Sequence, residues 1–343
     1  IDRSFQAELA ARHLKLLHEQ VLELSKIEAG HLSLNIDHIL ARDVIDGSLE
    51  LIQARADRDG IKIIDQLVRD DLPLLWTDST RLTQVLLNLL TNAVKYNSKN
   101  GTVTLSCKEI PDRMLRISVA DTGPGIPTEK QGDLFKPFER LGREAGAIEG
   151  TGIGLTITKQ IIELLGGQIG FESEVGKGST FWVDIPTSAK QEHDAANVKI
   201  VTSPGKKIKK LDETASQYSV LYVEDDPANM QLMEMMIGRI GNTKLLTAYN
   251  AEQGLDLARS KKPDLILMNI NLPGMNGIEA LKQLQDMAGT KDIPVIAITA
   301  AALPRDLEAG LKAGFRNYIT KPIKVSEFIQ TIEGTLYSIK KSS

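Results

Sequence analysis

NLLTNAVKY, at Asn88–Tyr96, is the stretch on which the interpretation of this chain of 343 residues turns. Apolar residues recur around it with a helical period, so Asn88 and Asn92 face one side of a predicted helix, and Lys95 and Tyr96 extend that side. Amides on an otherwise apolar helix either form a polar edge against water or serve a site. In a site, an amide oxygen would ligate Mg²⁺ and Lys95 would neutralise phosphate charge.

Two glycine-rich stretches follow, DTGPGI at Asp121–Ile126 and GTGIGL at Gly150–Leu155. Asp121 ends an apolar strand pattern, and its carboxylate would accept a hydrogen bond from the exocyclic amine of adenine. Gly123 and Gly125 would let the backbone approach the ring, although the same residues are also good β-turn chemistry. The glycines of the second stretch precede a predicted helix, whose first amide groups attract phosphate.

Length and composition limit the classes of protein. A chain of 343 residues suits two or three domains, and 42% hydrophobic with 25% charged residues is typical of a soluble globular protein. The formal net charge of −4 gives no reason to expect nucleic acid as a partner. The single cysteine, Cys107, excludes an intrachain disulfide and fits a cytoplasmic protein. No apolar run reaches the ~18 residues of a membrane span.

Periodicity predicts a multidomain chain of four segments. In the first segment, residues 1–30, a helix with a heptad seam is predicted over residues 1–28; Gly30 ends it, and its apolar surface needs bundle partners. Residues 31–186 mix helices with an antiparallel-leaning sheet as an α+β sandwich. Residues 187–217 are polar and predict a linker. Residues 218–338 alternate apolar strands with helices and predict a doubly wound, five-stranded α/β domain, whose ligands bind at the carboxyl ends of the strands.

The last segment carries a second set of polar residues at predicted strand ends. Glu224 and Asp225 follow the first strand and offer hard oxygen ligands for Mg²⁺. Thr299 would hydrogen-bond a phosphoryl oxygen and Lys321 would neutralise its charge. Each residue taken alone is equally compatible with a solvated loop end. Asn269 ends the third strand, between these groups.

Residues 31–186 resemble the catalytic domain of histidine kinases, in the Bergerat ATP-fold superfamily. Five ordered motifs carry the resemblance, at residues 88–96, 121–126, 134–138, 150–155 and 176–181. It implies Mg²⁺ and ATP as cofactors, with Asn92 as metal ligand, Asp121 on adenine and residues 139–151 as a lid. The residues it assigns to the nucleotide are Asn88, Asn92, Lys95, Tyr96, Asp121, Gly123, Gly125, Ile126, Phe138, Gly150, Thr151, Gly152, Ile153, Gly154, Leu155 and Thr180.

Asn88 separates kinase from ATPase within this superfamily. The water-hydrolysing relatives have a glutamate one turn before the metal asparagine, where this chain has Asn88, which cannot take a proton. The resemblance therefore implies transfer to a histidine. The family's acceptor box has a proline five residues after its histidine, and none of the histidines here has one. His18, followed by Glu19, comes nearest, but residues 14–30 resemble the second dimerisation helix rather than the first. We expect the acceptor helix outside this chain.

Residues 218–338 resemble the receiver domain of response regulators, with Thr299 and Lys321 at the family's conserved positions. The departure is Asn269, where receivers have their phosphoaccepting aspartate. An amide is a far weaker nucleophile than a carboxylate, and its lack of charge weakens Mg²⁺ binding by Glu224 and Asp225. Either an engineered block or a receiver kept permanently unphosphorylated would explain this residue.

The expected function is that of the cytoplasmic core of a hybrid sensor histidine kinase. Asn88, Asn92 and Lys95 would serve transfer to histidine, and Asn269, Thr299 and Lys321 mark the receiver step that Asn269 should stop. Expected partners are a second copy, through the dimerisation helices, and a downstream phosphotransfer or response-regulator protein; any membrane anchor would lie upstream. The alternatives are a nucleotide-binding pseudokinase or docking module, and a Bergerat-type ATPase. A clamp of the receiver on the kinase is a further possibility.

Overall fold

The computed structural model of the protein describes residues 14, 17, 18, 20–67, 72–139, 151–188, 217–299, 313–321 and 323–340. The chain divides into two compact units, Ile1–Ala195 and Ala196–Ser343. Each unit contains its own five-stranded sheet. The multidomain architecture expected from the periodicity is confirmed.

The first unit is a mixed sheet with helices. Its strands are β1 Asp37–Leu40, β2 Lys62–Asp65, β3 Leu74–Thr77, β4 Thr102–Ile110, β5 Met114–Asp121, β6 Gln168–Glu174 and β7 Gly178–Pro186. Its helices are α1 Ala41–Asp59, α2 Ser79–Lys95, α3 Thr128–Gln131 and α4 Gly154–Leu164. The large sheet has the order β2-β4-β5-β7-β6, with β2 and β4 parallel and the other pairs antiparallel.

Helix α2 forms because its sequence combines an N-cap with a broad apolar stripe. The Asp78 carboxylate accepts a hydrogen bond from the backbone N–H of Arg81 at 3.0 Å and so caps the helix start. The stripe predicted from the sequence is buried throughout, at Leu82, Val85, Leu86, Leu89, Leu90, Ala93 and Val94. Each fully buried leucine contributes roughly 1.5–3 kcal/mol. This burial fixes which face of α2, and hence which amides, turn toward the glycine-rich loops.

Strands β1 and β3 form a two-stranded antiparallel ribbon that the sequence analysis did not predict. Each strand has four residues, and only alternate positions, such as Ile39 and Leu75, are buried. On the outer side, His38 and Trp76 face each other with ring centroids 4.6 Å apart. A strand this short, paired with a distant segment, has too little period-2 pattern to be recognised.

The helical residues 20–28 belong to the core of the first unit. Leu24 and Ile27 are both 8% exposed and lie in the same apolar cluster as the stripe of α2. The helix ends as predicted before Gly30, which has φ +68°. Residues 1–13, which carry much of the predicted heptad seam, lie outside the described residues. The bundle assignment of residues 1–30 stays a prediction.

The second unit is a parallel sheet with helices. Its strands are β8 Tyr218–Val223, β9 Thr243–Ala248, β10 Leu265–Asn269, β11 Val295–Thr299 and β12 Asn317–Thr320. Its helices within the described residues are α5 Pro227–Ile237, α6 Ala251–Lys261, α7 Gly277–Asp286 and α8 Val325–Lys340. The order β12-β11-β10-β8-β9, with all pairs parallel, confirms the predicted five-stranded doubly wound domain. The order reverses between β8 and β10, so their carboxyl ends border a crevice.

Across the described ranges, no helix is both long enough and apolar enough to cross a membrane.

Candidate functional sites

The predicted nucleotide residues of the first unit lie on helix α2, strands β5 and β7, helix α4 and the loops beside them. Helix α2 supplies the asparagines, the carboxyl end of β5 supplies Asp121, and α4 begins at Gly154. Gly150 and residues 140–149, most of the predicted lid, lie outside the described residues. Short contacts connect Asn88, Asp121, Gly123 and Gly154 with their neighbours in this region.

Asn88 holds helix α4 against α2. Its Nδ2 donates to the buried Thr158 hydroxyl at 2.7 Å. A Cβ atom at Gly154 would lie 2.7 Å from Asn88 Oδ1, so a larger residue there would force the Asn88 side chain to move. The N-terminal amides of α4 are thereby fixed next to the asparagine face, where they can bind phosphate. The sequence analysis missed Thr158, whose only signal is its spacing of one turn from Gly154.

Asn92 lies one turn further along α2 and is half-buried. Its side chain makes no hydrogen bond to any residue that the structure describes, which leaves the amide oxygen available for a cation. Lys95, at the end of α2, places Nζ 4.7 Å from the ring centroid of Tyr96, a cation–π contact. Of the two asparagines, Asn88 therefore packs α4 against α2, whereas the side chain of Asn92 remains available to a ligand.

Asp121 is fixed by two backbone amides. Its Oδ1 accepts hydrogen bonds from Gly123 N at 2.8 Å and from Ser179 N at 3.3 Å. Burial raises the pKa of this carboxyl above its ordinary value, although the two amide hydrogen bonds act to lower it. Within the described ranges, Oδ2 has no hydrogen-bond donor. That oxygen can accept a hydrogen bond from a ligand.

Gly123 and Gly125 are required by close backbone contacts. A Cβ at Gly123 would lie 2.7 Å from both Tyr96 O and Asp121 Oδ1, and one at Gly125, where φ is +72°, would collide with the Glu174 carbonyl. Gly123 therefore lets the loop after β5 cross beside the end of α2, and Gly125 lets it pass the Glu174 carbonyl at the end of β6. These contacts lie within the chain, and the close approach of the glycines to a flat ring stays a prediction.

A side-chain network that the sequence analysis missed supports this loop. Ser173 Oγ accepts a hydrogen bond from Ile126 N at 2.8 Å and lies 2.9 Å from Ser179 Oγ. Gln131 Nε2 donates to the carbonyls of Ile126 and Ser173 at 2.9 and 3.1 Å. The network ties the glycine loop to β6 and β7. Only Ser179, inside the last motif, carried a sequence signal.

The two ends of the predicted lid are anchored. Phe138, 61% exposed, donates its backbone N–H to Gly152 O at 3.0 Å, and both residues have positive φ, +66° and +73°. The Thr151 hydroxyl donates to Gln20 Oε1 on the N-terminal helical segment. The lid end is thus attached to that segment.

Three further residues from the predicted set are structural in their immediate surroundings. Ile153 is fully buried, and Leu155 is half-buried against the core. Thr180 is a half-buried β7 residue, in register with Ala120 and Glu172.

A buried ion pair connects the N-terminal helical segment with α2. Arg81 Nη1 lies 2.9 Å from Glu23 Oε1, and the side chains are only 2% and 3% exposed. Gln84 Nε2 donates to both Glu23 oxygens, at 2.9 and 3.0 Å. The sequence analysis did not find this pair, because charged residues on a helix usually face water.

In the second unit, the predicted residues converge on Glu224, which is 1% exposed at the end of β8. Its Oε2 accepts hydrogen bonds from Tyr222 OH at 2.7 Å and from Lys321 Nζ at 2.8 Å. Its Oε1 accepts one from Asn269 Nδ2 at 2.9 Å. Burial, reinforced by the Glu224 charge, raises the pKa of the Tyr222 hydroxyl well above its ordinary value. Tyr222 was not among the predicted site residues.

The other receiver residues border this cluster. Asp225 is half-buried, and burial followed by the charge of Glu224 raises its carboxyl pKa. Thr299 is 3% exposed at the end of β11, and its carbonyl accepts the Lys321 backbone N–H at 2.8 Å. In the parts of the chain that the structure describes, no three His, Cys, Asp or Glu side chains are grouped so that they could hold a metal ion.

Comparison with known proteins assigns a family to each unit. Residues 77–189 match the family described as histidine kinase-, DNA gyrase B- and HSP90-like ATPases. Residues 220–333 match the response regulator receiver domain family. The two matches agree with the two folds and with their order along the chain.

Two similar proteins align with this chain across both units. The Sensory/regulatory protein RpfC of Xanthomonas campestris is 32% identical over 365 aligned positions, covering 97% of this chain and 49% of that protein. Sensor histidine kinase AruS of Pseudomonas aeruginosa is 32% identical over 334 positions, covering 93% of this chain and 31% of AruS. The chain thus spans at most about half the length of these relatives.

One solved structure resembles the chain along nearly its whole length. The crystal structure of full-length ShkA in complex with AMPPNP aligns with a TM-score of 0.51 and 22% identity, over 97% of this chain and 92% of that one. At this identity the similarity concerns the fold.

Proposed function

This chain belongs to the hybrid sensor histidine kinases, and we propose that its first unit binds Mg-ATP and donates the γ-phosphoryl group to a histidine on a helix outside this sequence. The observation that carries the proposal is the Asp121 carboxylate, whose Oδ1 is held by Gly123 N and Ser179 N while its Oδ2 has no donor among the described residues. A half-buried carboxylate beside a glycine loop is suited to the exocyclic amine of adenine.

The residues present fit the metal that accompanies ATP. Asn92 lies one turn along α2 from Asn88, whose side chain contacts the start of α4, and Mg²⁺ prefers oxygen ligands supplemented by phosphate and water. In this proposal Asn92 holds the ion, Lys95 and the start of α4 hold phosphate, and Asn88 positions α4. The ion itself would neutralise charge that develops on the transferring phosphoryl group.

The acceptor must come from elsewhere. Of the described histidines, His18 and His31 are exposed, and His38 packs at a tilt against Trp76 on the β1–β3 ribbon. None of them is a partner in the hydrogen bonds of Asp121. We propose that a second copy's dimerisation helices, or another helix of the full protein, present the acceptor, as expected for a two-helix dimerisation bundle.

The receiver step is proposed to stop at Asn269. A phosphoaccepting group needs a free nucleophilic oxygen, whereas Asn269 supplies an amide whose Nδ2 hydrogen-bonds to Glu224. The phosphoryl group would then pass to a separate phosphotransfer or response-regulator protein. Such a relay fits the cytoplasmic side of a sensor.

The experiment is mass spectrometry of the intact chain after incubation with Mg-ATP, at alkaline pH to preserve phosphohistidine. We expect retained nucleotide in the native spectrum and no covalent phosphoryl group. Addition of a separately made acceptor helix bundle should give phosphohistidine on the bundle. The Asp121→Asn variant, which should not retain nucleotide, is the negative control, and phosphorylation of His18 would overturn the external acceptor.

The second candidate is a nucleotide-binding docking module without transfer, which Asn269 favours because it removes one chemical step. The same mixture separates the two: retained nucleotide with no phosphohistidine on any added bundle supports the docking module. Asn269→Asp with acetyl phosphate and Mg²⁺ tests the receiver alone, since the variant should gain one phosphoryl group and the unchanged chain none.

A further inference from the structure

The cluster around Glu224 is complete without any ion. Tyr222, Asn269 and Lys321 donate to its two carboxylate oxygens at 2.7, 2.9 and 2.8 Å. A carboxylate that is 1% exposed needs such donors, because an unpaired buried charge is very costly. These donors supply both compensating charge and hydrogen bonds.

The orientation of the Asn269 amide follows from its second set of contacts. Its Oδ1 accepts a hydrogen bond from Asn271 N at 3.2 Å, so its Nδ2 is the atom that faces Glu224. The same Nδ2 lies 3.4 Å from the Asn271 carbonyl oxygen. One amide nitrogen therefore lies between a carboxylate oxygen and a carbonyl oxygen.

Those two oxygens are the kind that a hard divalent cation would bind. The positive ends of the amide N–H groups are directed at them instead, and Lys321 adds a full positive charge on the other Glu224 oxygen. An aspartate at position 269 would replace the amide donor by a third oxygen. That oxygen cluster would require a cation to bring its members together.

We propose that the Asn269 amide is a built-in replacement for the divalent cation of this receiver, so that the site neither needs nor binds Mg²⁺. The proposal rests on the receiver assignment and not on kinase activity in the first unit. It makes Asn269 more than a missing acceptor: the residue completes the folded site in its metal-free form.

The test uses Mn²⁺ as the probe, with the whole chain free of nucleotide and bound ion measured by electron paramagnetic resonance. Asn269→Asp should bind one Mn²⁺ at least ~10-fold more tightly than the unchanged chain, because two added oxygen lone pairs replace a donor. Removing Asp225 from that variant, as Asn269→Asp with Asp225→Asn, should abolish the gain and so locate the ion.

Asn276→Asp is the matched control. Asn276 caps helix α7 through Ile278 N and Glu279 N, at 3.0 and 2.9 Å, and aspartate caps equally well. It adds the same charge without replacing a donor to Glu224, and should leave Mn²⁺ binding unchanged.

Thermal unfolding gives a second readout. Mg²⁺ should raise the unfolding temperature of Asn269→Asp but leave that of the unchanged chain in place. If Asn269→Asp does not fold without metal, Asn269→Ser replaces it: serine removes the amide without adding charge and should regain measurable Mn²⁺ binding. Mn²⁺ affinity of the unchanged chain within about threefold of Asn269→Asp would overturn the proposal. Nucleotide retention, measured separately, keeps this result distinct from failure of the proposed kinase function.

Discussion

The two candidate sites of this chain use asparagine in opposite ways. In the first unit, Asn92 is half-buried and makes no hydrogen bond to the described residues, while Asp121 keeps one oxygen without a described donor. In the second unit, Asn269 is 7% exposed and hydrogen-bonds to Glu224. The first site has groups left for a ligand, whereas the second has satisfied its groups internally. Residue type alone does not reveal whether a polar group is available to a ligand or already hydrogen-bonded within the protein.

The two sites should also respond differently to mutation. Mutation of a site whose polar groups await a ligand weakens ligand binding, and it can raise the stability of the protein because those groups are poorly satisfied without the ligand. A site with satisfied groups loses stability, because its remaining members become buried and unpaired.

The largest expected effect is on the site around Glu224, whose polar groups hydrogen-bond to one another. Lys321→Met should lower the free energy of unfolding of the receiver by ~3–5 kcal/mol, because it leaves the buried Glu224 without its cation partner. Hydrogen exchange of the β8 and β10 amides measures this in the whole chain. Lys282→Met, at an exposed position of α7, is the control. A loss below ~1 kcal/mol would show that Asn269 and Tyr222 alone satisfy the carboxylate.

The next largest effect should be on ATP binding at the site around Asp121, which has polar groups left for a ligand. Asp121→Asn should weaken ATP affinity by about 1.5–3 kcal/mol, roughly ten- to a hundredfold, since a charged acceptor is lost. Calorimetric titration with Mg-ATP measures it. The free energy of unfolding of the nucleotide-free first unit should not fall. Asp112→Asn is the control, because residue 112 has φ +63°, which asparagine tolerates. A parallel loss of stability would mean that the fold needs the Asp121 carboxylate, as it needs Glu224, and that this group is not left for a ligand.

A smaller change should come from the network behind the glycine loop. Ser173→Ala removes the acceptor for Ile126 N and should weaken ATP affinity by ~1 kcal/mol, about fivefold. Ser118→Ala, a half-buried serine on β5, should leave affinity unchanged. Fluorescent-nucleotide competition has the required precision. Equal effects in both variants would exclude a specific role for Ser173.

The smallest effect is the pH dependence of stability without nucleotide. Because burial raises the pKa of Asp121 in the folded state, the folded protein binds more protons than the unfolded chain between the ordinary value of 3.8 and the raised one. Stability contributed by this group is therefore present below that window and lost as pH rises through it. Nucleotide affinity should change in the opposite sense, falling as the carboxyl is protonated. Urea unfolding of the chain and of Asp121→Asn across mildly acidic pH measures the difference, and identical slopes would contradict it.

Sequence patterns predicted the helices and strands whose apolar residues recur with a clear period. The five parallel strands of the receiver were predicted because apolar runs alternate with helices along residues 218–338. The stripe of α2 and the strand ends that position Asp121 and Glu224 followed in the same way. The sequence was informative wherever one local period decides burial.

Other features depend on distant partners and left no local signal. The β1–β3 ribbon joins segments about forty residues apart, as Asp37 pairs with Thr77. Thr158 gains its role from Asn88, and Tyr222 from Glu224. Asn269 was recognised as a missing acceptor, but its donation to Glu224 required the fold. Such contacts are set by tertiary packing and not by spacing.

The buried Glu23–Arg81 pair has a mechanical consequence for the N-terminal helical segment. An α-helix turns about 100° for each ~1.5 Å of rise, so a slide by one residue would carry Glu23 away from Arg81 and leave both charges buried and unmatched. Intermediate positions of the helix are therefore costly, and the ion pair holds the helix at one position along its axis. Gln20 on the same segment accepts a hydrogen bond from the Thr151 hydroxyl, so a slide of this helix would break that contact at the same time. The helix should therefore move against the first unit in whole steps and not by gradual drift.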